Sequence, residues 1–173
     1  MKLKSLMLIG SVFIPFVTSC VYKPLALATV GPDSIVHASS ATKGYLQVFS
    51  ATQKSVPVVS DDSWLLDLHT GYDIYDQSGK ESRFVPNHMS NLDTSPDTVT
   101  LMAGTYNIVA ESTWCGLVTV PVVIQKGKTT VVHLDNNWFP SSNTPAGKLV
   151  FLPNGEAVGW SGESNEGKTM QIQ

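Results

Sequence analysis

Residues 98–111 read Thr98-Val99-Thr100-Leu101-Met102-Ala103-Gly104-Thr105-Tyr106-Asn107-Ile108-Val109-Ala110-Glu111, with apolar and polar side chains alternating on both sides of Gly104. Successive side chains of a strand point to opposite faces, so a period of two marks a sheet with one buried face. The pattern predicts a hairpin in which Val99 and Leu101 face Tyr106, Ile108 and Ala110 across the core side.

The same signal recurs on either side. In Gly44-Tyr45-Leu46-Gln47-Val48-Phe49-Ser50, Leu46 and Val48 share one face and Tyr45, Gln47 and Phe49 the other. Residues 54–68 read as a long connection with Pro57, held to the core by Trp64, Leu65, Leu66 and Leu68. Residues 70–76 and 81–85 form a hairpin about the turn Gln77-Ser78-Gly79-Lys80. Residues 116–125 and 129–134 form another about Lys126-Gly127-Lys128, with Val118, Val120, Val122 and Ile124 on one parity and Thr130, Val132 and Leu134 on one. Pro121 cannot donate to a ladder, which places its strand at a sheet margin. Residues 149–152 and 156–160 close over Pro153-Asn154-Gly155. The expected fold class is all-β: an antiparallel β-sandwich of about seven strands plus a C-terminal hairpin.

Composition agrees with that class. Of 173 residues, 42% are hydrophobic and 14% charged, against roughly 25% charged in an average domain. Thirteen Gly and ten Pro supply turns. With 11 Lys and Arg against 14 Asp and Glu, the net charge of −3 lacks the basic excess that phosphate neutralisation needs, so nucleic acid is not an expected partner.

The run from Pro96 and Asp97 through Ala110 resembles the "apolar, Ala/Pro-Gly, x-Tyr-x-apolar-x-Ala" hairpin of carboxypeptidase-regulatory-like and PEGA-type domains. Val122-Val123-Ile124-Gln125-Lys126-Gly127-Lys128-Thr129-Thr130-Val131-Val132-His133-Leu134 is similar to their closing strand pair. The resemblance covers about residues 44–135 and implies a prealbumin-like, Ig-like sandwich. Those families share a scaffold rather than a chemistry, so no catalytic residue comes with it.

The N-terminus reads as an address. Lys2 and Lys4 precede an apolar run over residues 6–17, too short to span a bilayer as a helix and suited to a secretory signal. Val17-Thr18-Ser19-Cys20 follows and resembles the bacterial lipoprotein signal. That resemblance implies cleavage between Ser19 and Cys20, diacylation and N-acylation of Cys20, and a membrane anchor. Val21, where an Asp would favour inner-membrane retention, implies the outer membrane, facing the periplasm. An ordinary cleaved signal would instead leave Cys20 free to pair with Cys115. If Cys20 is acylated, Cys115 has no partner in the chain and is expected as a buried thiol. The organisation expected is a signal over 1–19, a flexible tether over 20–43, the sandwich over 44–135, a loop and hairpin packed on it over 136–162, and a frayed tail over 163–173.

Motifs of catalysis are thin. His37, His69, His88 and His133 lack zinc-ligand spacing, the acidic residues lack a calcium-loop pattern, and no nucleophile elbow or phosphate loop is present. No catalytic residue, metal ligand or cofactor is assigned. Trp138 and Phe139, in a predicted loop, and Trp114 are the candidate ligand-binding residues, because aromatic faces suit sugar rings and loops carry binding groups. The expected function is a non-enzymatic lipoprotein domain that binds or positions an envelope component, protein or cell-wall polymer. The alternative is a carbohydrate-binding accessory module.

Overall fold

The computed structural model describes residues 23–32, 42–55, 66–87, 95–141 and 148–162. Among them run twelve strands: β1 (Leu25–Ala26), β2 (Lys43–Phe49), β3 (Thr52–Ser55), β4 (Leu66–His69), β5 (Tyr72–Tyr75), β6 (Glu81–Val85), β7 (Thr98–Met102), β8 (Gly104–Ser112), β9 (Gly116–Ile124), β10 (Thr129–His133), β11 (Leu149–Phe151) and β12 (Ala157–Trp160). The protein is all-β. A five-stranded sheet in the order β1-β9-β8-β5-β6 packs on a three-stranded sheet in the order β10-β2-β7, while β3–β4 and β11–β12 are separate two-stranded ladders. The signal region 1–19, Cys20, His37, Trp64, Leu65, His88 and the tail 163–173 lie outside the described residues.

Alternation reads the faces correctly. Leu46 and Val48 of β2, Val99 and Leu101 of β7, and Val132 of β10 meet Ile74 of β5, Ile108 and Ala110 of β8, and Val118, Val120, Val122 and Ile124 of β9 in one core. Each Val, Leu or Ile side chain among them contributes roughly 1.5–3 kcal/mol on burial, so this cluster is what holds the two sheets together. Tyr106 packs against it while remaining partly exposed.

Partners differ from the expectation at two turns. β7 pairs with β2, whereas β8 pairs with β9 and β5, so the chain crosses from one sheet to the other at Ala103 and Gly104 instead of folding back as a hairpin. β9 and β10 are likewise split, and β10 lies parallel to β2, with Val132 beside Val48. Both crossings sit at one end of the sandwich, where Lys43 O accepts from Gly127 N at 2.9 Å. There Gly44 allows β2 to pass the Gln125 carbonyl, with which a Cβ would collide. Parity survives because either route, fold-back or crossing, turns the same apolar set inward.

Two of the hairpins share one device. In β5–β6 and in β11–β12 the last turn residue is a glycine with positive φ, Gly79 at 79° and Gly155 at 87°, next to a register shift. A tight turn followed by a left-handed residue matches the twist of the flanking strands. Asp76 fixes the first turn by accepting from Ser78 N at 2.8 Å and Lys80 N at 3.1 Å. The Ser78 bonds hold its carboxyl below the usual carboxylate range. The long connection expected over 54–68 is shorter, because Leu66–His69 forms β4 and pairs antiparallel with β3.

A further correction concerns the tether. Residues 23–32 belong to the fold: Leu25 and Ala26 lie parallel to Val118 and Thr119, Val30 bridges Val122, and Val30 is fully buried. β9 is therefore covered on its outer side by a short, interrupted strand. Thr119 O and Pro121 O both face that side, accepting from Leu27 N and Val30 N. The amide that Pro121 lacks would have pointed there too, so the β8–β9 ladder loses nothing and Pro121 is tolerated one strand in from the margin. The hairpin β11–β12 covers the same side. Gly31 N donates to Trp160 O at 2.7 Å, and a Cβ on Gly159 would meet Val30 Cγ1 at 2.7 Å. Val150, Leu152 and Val158 complete the core.

Candidate functional site

At the end opposite the crossings, β10 stops at His133 beside Phe49. Their parity points them to the outer face of the three-stranded sheet. Outward side chains are normally wet, yet His133 is buried, because residues 135–141 fold back across that face. Asn136 takes a positive φ of 63° to start the return. Asp135 Oδ1 accepts from Asn137 N at 3.4 Å, and its Oδ2 from Asn137 Nδ2 at 3.2 Å.

The result is a row of rings. Phe49 stacks on His133 at 4.7 Å between centroids and 20°, and His133 stacks on Trp138 at 4.6 Å and 10°. Trp160 meets Trp138 edge-on at 6.0 Å, and His69 meets Phe49 edge-on at 5.6 Å. Such pairs add about 0.5–1.5 kcal/mol each beyond area burial. Trp138 is thus a pin that holds its loop down, and the next residue, Phe139, stands out at 82% exposure. Trp114 occupies the turn between β8 and β9 and is 66% exposed. Of the three aromatic candidates, Trp138 lies within the ring row, Phe139 projects beside it, and Trp114 sits in a turn of the other sheet. The Thr113 N to Leu134 O bond, 2.9 Å, ties that turn to the same end of the sandwich. Cys115 follows Trp114 and is half-buried against the core, less enclosed than expected.

Burial pushes the His133 imidazole down from 6.5 to about 4. The unfolded chain takes up this proton near pH 6.5 and the folded chain only near pH 4. The stability due to the neutral ring is therefore full above pH ~6.5 and is lost as pH falls toward about 4. A His133→Phe variant keeps a ring in the stack and removes the titration. Its urea midpoint should change less between about pH 7 and pH 4 than that of the unaltered protein; equal changes in both would assign the acid sensitivity to other groups.

A second polar feature lies beneath the stack. His69 Nδ1 lies 2.7 Å from the Ser50 carbonyl, so that nitrogen carries the proton. Ser50 Oγ donates to Thr70 O at 2.6 Å, and the fully buried Asn87 donates from Nδ2 to Val48 O at 2.9 Å and Ser50 Oγ at 2.8 Å. Asn87 Oδ1 accepts from Asp97 N at 3.2 Å. This network joins β2, the β4–β5 link and the segment leading into β7. Nearby, Tyr72 is 1% exposed and its hydroxyl has no partner among the described residues; burial, reinforced by Asp97, pushes its pKa up. A cavity of about 460 Å³ lined by Gln47, Arg83, Pro96, Asp97 and Thr98 opens at the β6 and β7 edges.

Sequence reading missed both His133 and Asn87. Each depends on a partner far along the chain: Phe49, 84 residues before His133, and the Val48 carbonyl, 39 residues before Asn87. Among the described residues no group of three or more His, Cys, Asp or Glu side chains is placed to hold a metal ion. Compared with protein-family models, with curated proteins and with solved structures, the chain matches none of them.

Proposed function

We propose that the protein is a bacterial lipoprotein, acylated at Cys20 and anchored in the outer membrane facing the periplasm, whose non-enzymatic sandwich binds or positions another envelope component. The address Val17-Thr18-Ser19-Cys20 after an apolar run supports the anchor. The resemblance of residues 44–135 to carboxypeptidase-regulatory-like and PEGA-type domains supports a scaffold used for binding. The observation that carries the binding role is Phe139, exposed to 82% on a loop that Trp138 pins to the sheet. A large apolar side chain displayed on a fixed support gains more on docking than one on a loose loop, because less freedom is lost.

Crosslinking in the native envelope with and without Phe139→Ala tests this reading. Partners captured by the unaltered protein should be lost from the variant while Cys20 remains acylated by mass spectrometry. Identical captures from both proteins, or none from either, would reject the binding role of Phe139, and an unmodified mature terminus would reject the anchor. The exposure of Trp114 and Phe139 also favours a second reading, a carbohydrate-binding module. Retention on purified cell-wall polysaccharide, abolished by Phe139→Ala, would select it.

A further inference from the structure

β1 lies parallel to β9, with Leu25 beside Val118, so the chain before Leu25 leads back toward the start of β9 and the turn that carries Trp114. Among the described residues Leu25 is the first paired into a strand, and only residues 21–24 separate it from Cys20. A stretched chain covers at most ~3.6 Å per residue, so the five steps from Cys20 to Leu25 reach no more than about 18 Å. The headgroup layer on each side of a bilayer takes about 5–8 Å of that, the difference between the ~30 Å hydrocarbon core and the 40–45 Å whole. An acyl anchor at Cys20 therefore holds this end of the sandwich within roughly 10–13 Å of the lipid surface.

The end so held displays three large apolar side chains. Trp114 is 66% exposed, Leu117 43% and Leu25 37%. All three stand at the start of β9 or beside it, because Leu25 neighbours Val118 and Leu117 is the second residue of that strand. Tryptophan favours the membrane interface, where its ring meets the acyl boundary and its N–H stays wet. Lys23, exposed on the segment that leads to Cys20, suits the phosphate layer. Glu111, opposite Leu117 in the β8–β9 ladder, offsets that charge, so the contact is apolar rather than electrostatic.

We propose that this end, through Trp114, Leu117 and Leu25, docks into the headgroup region of the membrane that carries the anchor. The sandwich then stands on the bilayer with its crossing end, around Ala103 and Gly127, facing away. The proposal rests on the lipid-anchor reading above. Phe139 belongs to this same end, on the loop that folds over the facing sheet, so it stands beside the lipid contact and not at the far, crossing end.

Purified full-length acylated protein in phosphatidylethanolamine and phosphatidylglycerol vesicles with brominated acyl chains tests it. Bromine quenches only indoles that reach the lipid. The unaltered protein should lose emission that a Trp114→Phe variant does not lose, and the loss should persist in about 0.5 M salt, where charge attraction is screened within a few ångströms. Leu117→Ser should reduce the quenching with the anchor intact. If Cys20 carries its acyl groups and Trp114 is not quenched, the docking is wrong and the anchor stands. If Cys20 is unmodified, both fall.

Discussion

Replacing Asn87 by Ala should lower stability by roughly 2–4 kcal/mol, because it leaves buried carbonyls without their donor and removes the short polar side chain that lets asparagine, unlike alanine, sit readily at a φ of 63°. The Asn87 amide donates to Val48 O at 2.9 Å, Ser50 Oγ at 2.8 Å and Thr70 O at 3.2 Å. Ser50 Oγ still serves Thr70 O in the variant, so the Val48 carbonyl bears most of the loss. Asn87→Gly separates the two causes: it loses the same bonds but accepts the left-handed backbone, and should recover about 1 kcal/mol. Urea unfolding of the three proteins provides the measurement. Superimposable curves for Asn87→Ala and the unaltered protein would show that the network adds nothing to stability.

The second large effect belongs to Ile108. It is fully buried in the middle of β8, between Ile74 on one side and Val120 on the other. Ile108→Ala removes three carbons from a packed site and should cost about 2–5 kcal/mol, with a fall in Tm on the order of 10 °C or more. Asn107, one residue earlier, is half-buried on the opposite face, and its replacement by Ala should stay within about 0.5 kcal/mol. Similar midpoints for the two variants would contradict the inward parity of β8.

Parity was legible in the sequence because it is local: two residues advance a strand by one repeat, and the apolar ones must point inward. Pairing was not. Gly104 and Gly127 mark reversals equally well whether the chain returns in the same sheet or crosses to the facing one, and only long-range contacts, such as Val132 beside Val48, select between them. Residues 25–31 escaped notice for a related reason. Leu25-Ala26-Leu27 is too short to show a period, and Val30 enters the core alone. At the candidate site, aromatic composition pointed to Trp138 and Phe139. The division of labour between them, one pinned and one displayed, depends on a loop that doubles back onto His133.

The two parallel pairings also govern when the fold can form. Leu25 must await Val118, 93 residues later, and Phe49 must await His133, 84 residues later. At a synthesis rate of about 5–20 residues per second, the first of these waits lasts roughly 5–20 seconds. Through that interval β2 can find β7 but not β10, and the inward face of β9 does not yet exist to cover it. Folding dominated by such distant contacts is slow once the chain is complete, so the nascent polypeptide needs protection from its own unpaired edges until the C-terminal third has emerged.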